Sequence, residues 1–208
     1  MFSIITDHPV AYESFDHLYP CGTMYDNNTS LGFIMEAENM FSPPIHMMDL
    51  GCSGGQLVAD FKSRNHLAVG VEGSDFSIVH GRANWPNLHN TNLFTADITK
   101  PFQVLNNNEP YKCDIITLWE VLEHIEENDL PMVFTNISNH LKDSGFFVAS
   151  IGMGVAPWMD VNLHRTVLDH KGWDEKMSEY FVLDRYPYWH SPREDVRGLS
   201  HFVKGKKR

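Results

Sequence analysis

The feature that most constrains this chain is a series of short apolar runs, each cut off by a glycine or an acid and separated by helix-patterned or turn-rich stretches. Residues 45–50 read as a buried strand that stops at a glycine turn. In Gln56–Ser63, Leu57, Val58 and Phe61 fall on one helical face at spacings of three and four. Leu67–Glu72 is the next strand, followed by a helix expected over about residues 76–84, and residues 93–96 form a short third strand. Cys113–Trp119 is apolar almost throughout, as a central parallel strand buried on both faces should be. A helix over residues 129–141, with Pro131 tolerable in its first turn, leads to a fifth strand over 145–150. Strands separated by helices imply right-handed crossovers and a parallel sheet covered on both faces. Such sheets bind ligands at the carboxyl ends of their strands. The loops after Leu50, Val71, Ala96, Leu118 and Ser150 are therefore expected to carry the chemistry.

Composition narrows the setting. At 208 residues, 42% hydrophobic and 21% charged, the chain suits one soluble domain with a full core. No apolar run reaches the ~18 residues that span a bilayer. The start lacks the basic and long apolar segments of a signal peptide. Cys21, Cys52 and Cys113 are too few and scattered for a disulfide framework, so a reducing, cytoplasmic setting and no membrane partner are expected. A formal net charge of -11 disfavours nucleic acid, whose binding draws on phosphate neutralisation. The basic end at residues 204–208 reads as a solvated tail.

The loops themselves are more specific. Gly51, Gly54 and Gly55 after Asp49 permit a tight turn that lets backbone approach a ligand. No Gly-Lys-Ser/Thr follows, so this is not a phosphate loop, and the G-x-G-x-x-G spacing is absent. Glu72 ends the second strand, 21 residues beyond Gly51, where a carboxylate can accept both hydroxyls of a ribose. Asp97-Ile98 follows the third strand, pairing an acid for an amino proton with an apolar residue for a ring. Three acids in register at successive strand ends outweigh any one of them.

Together, Asp49-Leu50-Gly51-Cys52-Ser53-Gly54-Gly55, Val71-Glu72-Gly73-Ser74-Asp75, Ala96-Asp97-Ile98 and Trp119-Glu120-Val121-Leu122-Glu123-His124-Ile125 resemble the successive motifs of class I methyltransferases. The resemblance covers about residues 45–150. It implies a Rossmann-like α/β fold, a seven-stranded mostly parallel sheet with an antiparallel last strand and helices on both faces, and S-adenosylmethionine as cofactor, released as S-adenosylhomocysteine. On these motifs Asp49 and Gly51 would face the methionine portion, Glu72 the ribose, Asp97 and Ile98 the adenine, and Trp119 and Glu120 the methionine end; Cys52, Ser53, Gly54 and Gly73 would be further cofactor contacts. Ser53 departs from the commonest first motif, which has a glycine there. The Glu120–Ile125 stretch is similar to enzymes acting on hydroxyls of small molecules. Residues 19–28 and 163–167, with Trp173, resemble a bacterial subgroup found among surface-sugar genes.

A hydroxyl acceptor is helped by a base, and His124 and His164 are the candidates. His190 reads as a surface or loop residue. His164, His170, Asp160 and Asp169 show no ligand spacing such as H-E-x-x-H, so no metal is expected. Aromatic residues crowd both ends: Tyr12, Phe15, Tyr19 and Tyr25 before the core, and Trp158, Trp173, Tyr186, Tyr188 and Trp189 after it. They form a lid and acceptor pocket, or else cap the sheet or make a dimer contact, with Tyr12, Tyr19 and Tyr25 the pocket candidates. The expected organisation is an N-terminal lid and substrate segment (1–44), a cofactor-binding core (45–152) and C-terminal substrate elements with the final strands (153–208). A small-molecule O-methyltransferase, possible as a homodimer, is the leading expectation. Protein or RNA methylation and a non-catalytic binding protein of the same fold are the alternatives.

Overall fold

The computed structural model describes residues 1–185 and 200–208. His190, Tyr186, Tyr188 and Trp189 lie outside the described residues. The chain runs β1 (Phe2–Thr6), α1 (Phe15–Leu18), α2 (Cys21–Tyr25), α3 (Leu31–Met40), β2 (His46–Leu50), α4 (Gln56–Ser63) and β3 (Leu67–Glu72). It continues through α5 (Phe76–Val79), α6 (Trp85–Leu88), β4 (Leu93–Thr95), β5 (Phe102–Asn106), β6 (Glu109–Pro110) and β7 (Cys113–Trp119). A 3₁₀ turn, Leu122–His124, precedes α7 (Leu130–His140) and β8 (Leu141–Gly152). The rest is β9 (Pro157–Trp158), β10 (Val161–Asn162), α8 (His170–Ser178), β11 (Phe181–Arg185) and β12 (Ser200–Lys207).

Seven strands form one sheet in the order β11-β12-β8-β7-β2-β3-β4. β2, β3, β4, β7 and β8 pair in parallel, and β12 alone runs antiparallel, between β8 and β11. The strand order reverses between β2 and β7, so the ends of those two strands open the crevice where an α/β sheet takes its ligand. All seven residues of β7 are buried, and alternate side chains feed two cores. Ile115 joins Met47, Val148, Phe33 and Phe61 beneath α3 and α4, while Ile116 and Leu118 join Met48, Phe147, Phe134 and Trp173 beneath α7 and α8. Fully burying each such side chain is worth about 1.5–3 kcal/mol, so β7 anchors the site from both sides. Beside the main sheet, β1, β5 and β6 form a small antiparallel sheet that the sequence pattern did not announce.

Two expectations are corrected. The helix over residues 76–84 is two short pieces, α5 and α6, because Gly81 (φ 56°) and Ala83 (φ 50°) leave the helical region between them. The basic end is not a solvated tail: residues 200–207 are β12, paired on both edges. Its lysines are compatible with this because Lys204 lies 4.0 Å above the Phe146 ring and Lys206 stays exposed. Gly205 fits against Phe147, where a Cβ would come within 2.1 Å of the ring. Among the described residues no helix is long and apolar enough to cross a membrane.

Candidate functional site

The glycine turn is held by its neighbours rather than by its own sequence alone. Gly51 sits at φ 74°, a left-handed conformation open to glycine, and a Cβ there would strike Val121 at 2.5 Å. Its N–H bonds the carbonyl of Val71 (2.8 Å), tying the turn to β3. Trp85 Nε1 donates to the Ser53 carbonyl (2.7 Å). Ser53 itself takes φ 46°, so the serine that departs from the usual motif adopts a glycine-like backbone.

Two carboxylates flank this turn at the ends of β2 and β3. Asp49 is 5% exposed and accepts a hydrogen bond from Thr117 Oγ1 at 2.6 Å. Burial pushes its carboxyl up to about 7, against the Thr117 bond and with help from the charge of Glu72. Glu72 Oε2 accepts the Ser53 N–H (2.7 Å), and Oε1 takes the Ser74 N–H (3.3 Å) and the Thr23 hydroxyl (3.4 Å). Burial raises its carboxyl too, opposed by those backbone donors. Cys52 is buried beside both acids, and burial followed by their charges pushes its thiol up, which keeps it unreactive.

The N-terminal segment crosses the carboxyl ends of β4, β3 and β2 in turn. The Asp97 N–H bonds the His8 carbonyl (2.9 Å), and the Ala11 N–H bonds the Gly73 carbonyl (2.9 Å). Ser53 Oγ donates to the carbonyls of Asp26 (2.7 Å) and Gly22 (3.2 Å). Asn27 Oδ1 accepts the N–H of Gln56 (3.1 Å), capping α4, whose own N-cap is the side-chain-less Gly55. The tyrosines of this segment differ in exposure. Tyr12 is 60% and Tyr25 71% exposed, and Tyr19 stacks on Phe15. Asp16, Thr23 and Asn27 are the residues the segment brings to the site, and no local pattern marked them beforehand.

The remaining expected residues divide. Asp97 Oδ1 accepts from the Thr99 N–H (2.9 Å) and hydroxyl (2.6 Å), so one of its oxygens is spent on its own turn. Ile98 belongs to the core, and Trp119 packs edge-on against Phe33 beneath α3. Glu120 takes φ 55°, a conformation costly for a side-chain-bearing residue and concentrated at functional sites.

At the end of β7 a second group of polar side chains converges. Glu123 is fully buried; its Oε1 accepts the Gly152 N–H at 2.7 Å. The Arg165 (2.7 Å) and Thr166 (3.0 Å) N–H groups both bond the Glu123 carbonyl, which delivers His164 to His124 with ring centroids 5.0 Å apart. His124 Nδ1 lies 2.9 Å from Asp16 Oδ1, a charge contact poorly aligned for hydrogen bonding. Burial alone would push the His124 imidazole down; Asp16, Glu123 and Glu120 override it and raise it to about 9. Burial lifts the Glu123 carboxyl to about 8, opposed by His124 and reinforced by Glu120. His164 is lowered, chiefly by burial. Both histidines read as base candidates are thus here, joined by Glu123 and Asp16.

A doubly wound sheet with one inserted antiparallel strand, acids at the ends of β2 and β3 and a polar cluster at the end of β7 defines an α/β protein with its ligand mouth at the strand-order reversal. The chain belongs to the methyltransferase domain family, whose model matches residues 31–203. Solved structures agree in fold. A TehB-like SAM-dependent methyltransferase from Corynebacterium glutamicum superposes with a TM-score of 0.62 at 15% identity, over 93% of this chain and 96% of that one. The glycopeptide N-methyltransferase MtfA, complexed with S-adenosyl-L-homocysteine, gives 0.63 at 12% identity over 88% and 91%. Magnesium protoporphyrin IX methyltransferase from Synechocystis gives 0.55 at 13% over 85% and 79%. No curated protein matches the sequence.

Proposed function

We propose that this chain is an S-adenosylmethionine-dependent methyltransferase that transfers the methyl group to a small polar acceptor, a hydroxyl oxygen of a sugar or related metabolite. The observation that carries the reading is the placement of Asp49 and Glu72 on either side of the glycine turn. Asp49 has a hydroxyl and a second carboxylate as neighbours, an environment that favours a cationic ligand. Glu72 fits a ribose, since a carboxylate has about four acceptor positions and its longest contact, to Thr23 at 3.4 Å, is the one most readily exchanged for a ligand hydroxyl. By resemblance Gly51 to Gly54 and Gly73 would carry backbone contacts to the cofactor, and Asp97, Ile98, Trp119 and Glu120 would border it. Ile98 and Trp119, both largely buried, offer it only an edge.

The cofactor supplies a methyl group activated by its sulfonium. The chain's part is to bind, orient and exclude water, and positioning alone accounts for much of the rate in such transfers. His124 and His164 are the residues proposed to meet the acceptor, next to the end of β7. The choice of a small acceptor rests on the net charge of -11, which opposes a polyanion. Of the aromatic candidates Tyr12, Tyr19 and Tyr25, the half-buried Tyr19 is the one retained for the acceptor. Calorimetry with S-adenosylmethionine and S-adenosylhomocysteine tests the cofactor, and binding by neither would refute it. Release of S-adenosylhomocysteine across a panel of nucleotide-linked sugars and small phenols tests the acceptor; turnover confined to peptide or RNA substrates would overturn that half.

A further inference from the structure

We infer that Glu123, His124 and His164, with Glu120 beside them, form a binding site for one divalent first-row transition ion such as Mn²⁺, Co²⁺ or Zn²⁺. Sequence spacing concealed the set, because His164 lies 40 positions beyond His124 and the two meet only through the fold. One ligand atom from each of Glu123, His124 and His164 lies within 4.8 Å of the other two. In a tetrahedral site with ordinary bonds such atoms stand about 3.4 Å apart. Side-chain movements of about 1 Å therefore close the set around an ion.

The cluster shows two features of a ligand site. First, Glu123 is fully buried, yet its Oε2 has no hydrogen-bond partner. Leaving a buried carboxyl oxygen without a hydrogen bond is costly, and an ion that takes the place of the proton on the His124 imidazole would complete it. Glu120 Oε1 is in the same condition, and its Oε2 approaches the same point from another side. A side chain placed on Gly152 would meet His164 Cε1, Glu123 Oε1 and Glu120 Oε2 together, at 2.7, 2.9 and 3.3 Å. Second, His164 Nδ1 is hydrogen-bonded to the Gly154 carbonyl, which can only accept. The proton is thereby fixed on Nδ1, and Nε2 keeps its lone pair, as in histidines that ligate metals and donate their other N–H to backbone. The backbone bonds from Arg165 and Thr166 to the Glu123 carbonyl lock these elements together.

Mixed imidazole and carboxylate donors suit first-row divalent ions better than Ca²⁺, which takes oxygen ligands. A bound divalent ion polarises an oxygen it coordinates and makes its proton easier to remove. The consequence for the acceptor, a hydroxyl seated on the ion, rests on the methyltransferase reading; the binding of the ion does not.

The test is equilibrium dialysis of the chelator-treated, tag-free full chain against Mn²⁺, Co²⁺ or Zn²⁺, without cofactor or acceptor. The visible absorption of bound Co²⁺ reports its coordination number and geometry, and a change in it in His164→Asn reports the loss of that ligand. We expect one tightly held ion per chain, and at least about tenfold weaker binding in Glu123→Gln and His164→Asn, with melting curves confirming that each variant is folded. His124→Ala is the third arm if Glu123→Gln does not fold. Absence of stoichiometric binding by the wild-type chain overturns the inference, as does binding that survives in the folded variants. Ion binding without any S-adenosylmethionine binding would leave the metal site standing and remove the methyltransferase reading; the reverse result would do the opposite.

Discussion

Replacing Asp49 by asparagine should stabilise the ligand-free protein, increasingly so as pH rises. The wild-type carboxyl titrates at about 7 in the folded chain against 3.8 for the free group. A folded state that holds its proton to higher pH binds more protons than the unfolded state, so this group's contribution falls as pH rises from about 4 to about 7 and is flat above. The full gap is worth about 4 kcal/mol, and the part between pH 5.5 and 8 about 2 kcal/mol. Asparagine has nearly the same shape and can still accept the Thr117 hydroxyl, so the comparison isolates the charge. Melting curves of both proteins across that range should diverge by about 4–8 °C, at about 2–4 °C per kcal/mol for a chain of this size. The same substitution should weaken S-adenosylmethionine by about tenfold or more, because a charge-assisted contact is lost. Parallel pH profiles, or a variant less stable than wild type at pH 8, would refute the idea that Asp49 is a buried acid awaiting a cation.

Other perturbations probe separate parts of the structure. Glu72→Ala is expected to weaken cofactor binding by about 1–3 kcal/mol in calorimetry; unchanged affinity would remove it from the ribose. Asn27→Ala removes the distant cap on α4 and should lower stability by about 0.5–2 kcal/mol in a denaturant titration. An unaltered midpoint would mean that water replaces the cap without loss. Gly205→Val drives a side chain into Phe147 and should cost about 1–3 kcal/mol, partly recovered by adding Phe147→Leu. If the double variant is no better than the single one, the close approach is not what holds that glycine.

The parallel half of the sheet was legible because β2, β3, β7 and β8 are buried on both faces, and burial on both faces leaves a continuous apolar run that needs no partner to be noticed. β12 was missed for the opposite reason. Lys204 lies along an aromatic ring and Lys206 reaches solvent, so residues 204–208 carry a tail's composition, and among them Gly205 alone hints at close packing. The break between α5 and α6 depends on left-handed backbone at both Gly81 and Ala83, and alanine rarely signals it. In the candidate site, the placement of Asp49 and Glu72 at the ends of β2 and β3 could be read from the strand pattern. Asp16, Thr23 and Asn27 could not, since each acts on a partner dozens of residues away. The N-terminal segment does cross the strand ends, but a crossing path does not say which way a segment turns its side chains, and Tyr12 and Tyr25 face solvent.

The antiparallel strand also orders events in the making of the molecule. β8 ends at Gly152 and meets β12 at Ser200, while β11 pairs with β12 alone in the main sheet. Until residues 200–207 arrive, the backbone edge of β8 is open and β11 has no place in the sheet. Closing so long a connection is slow compared with pairing neighbours, and an open apolar edge invites a strand from another chain. Conditions that delay this one strand should therefore surface as aggregation of an otherwise well-formed half-sheet.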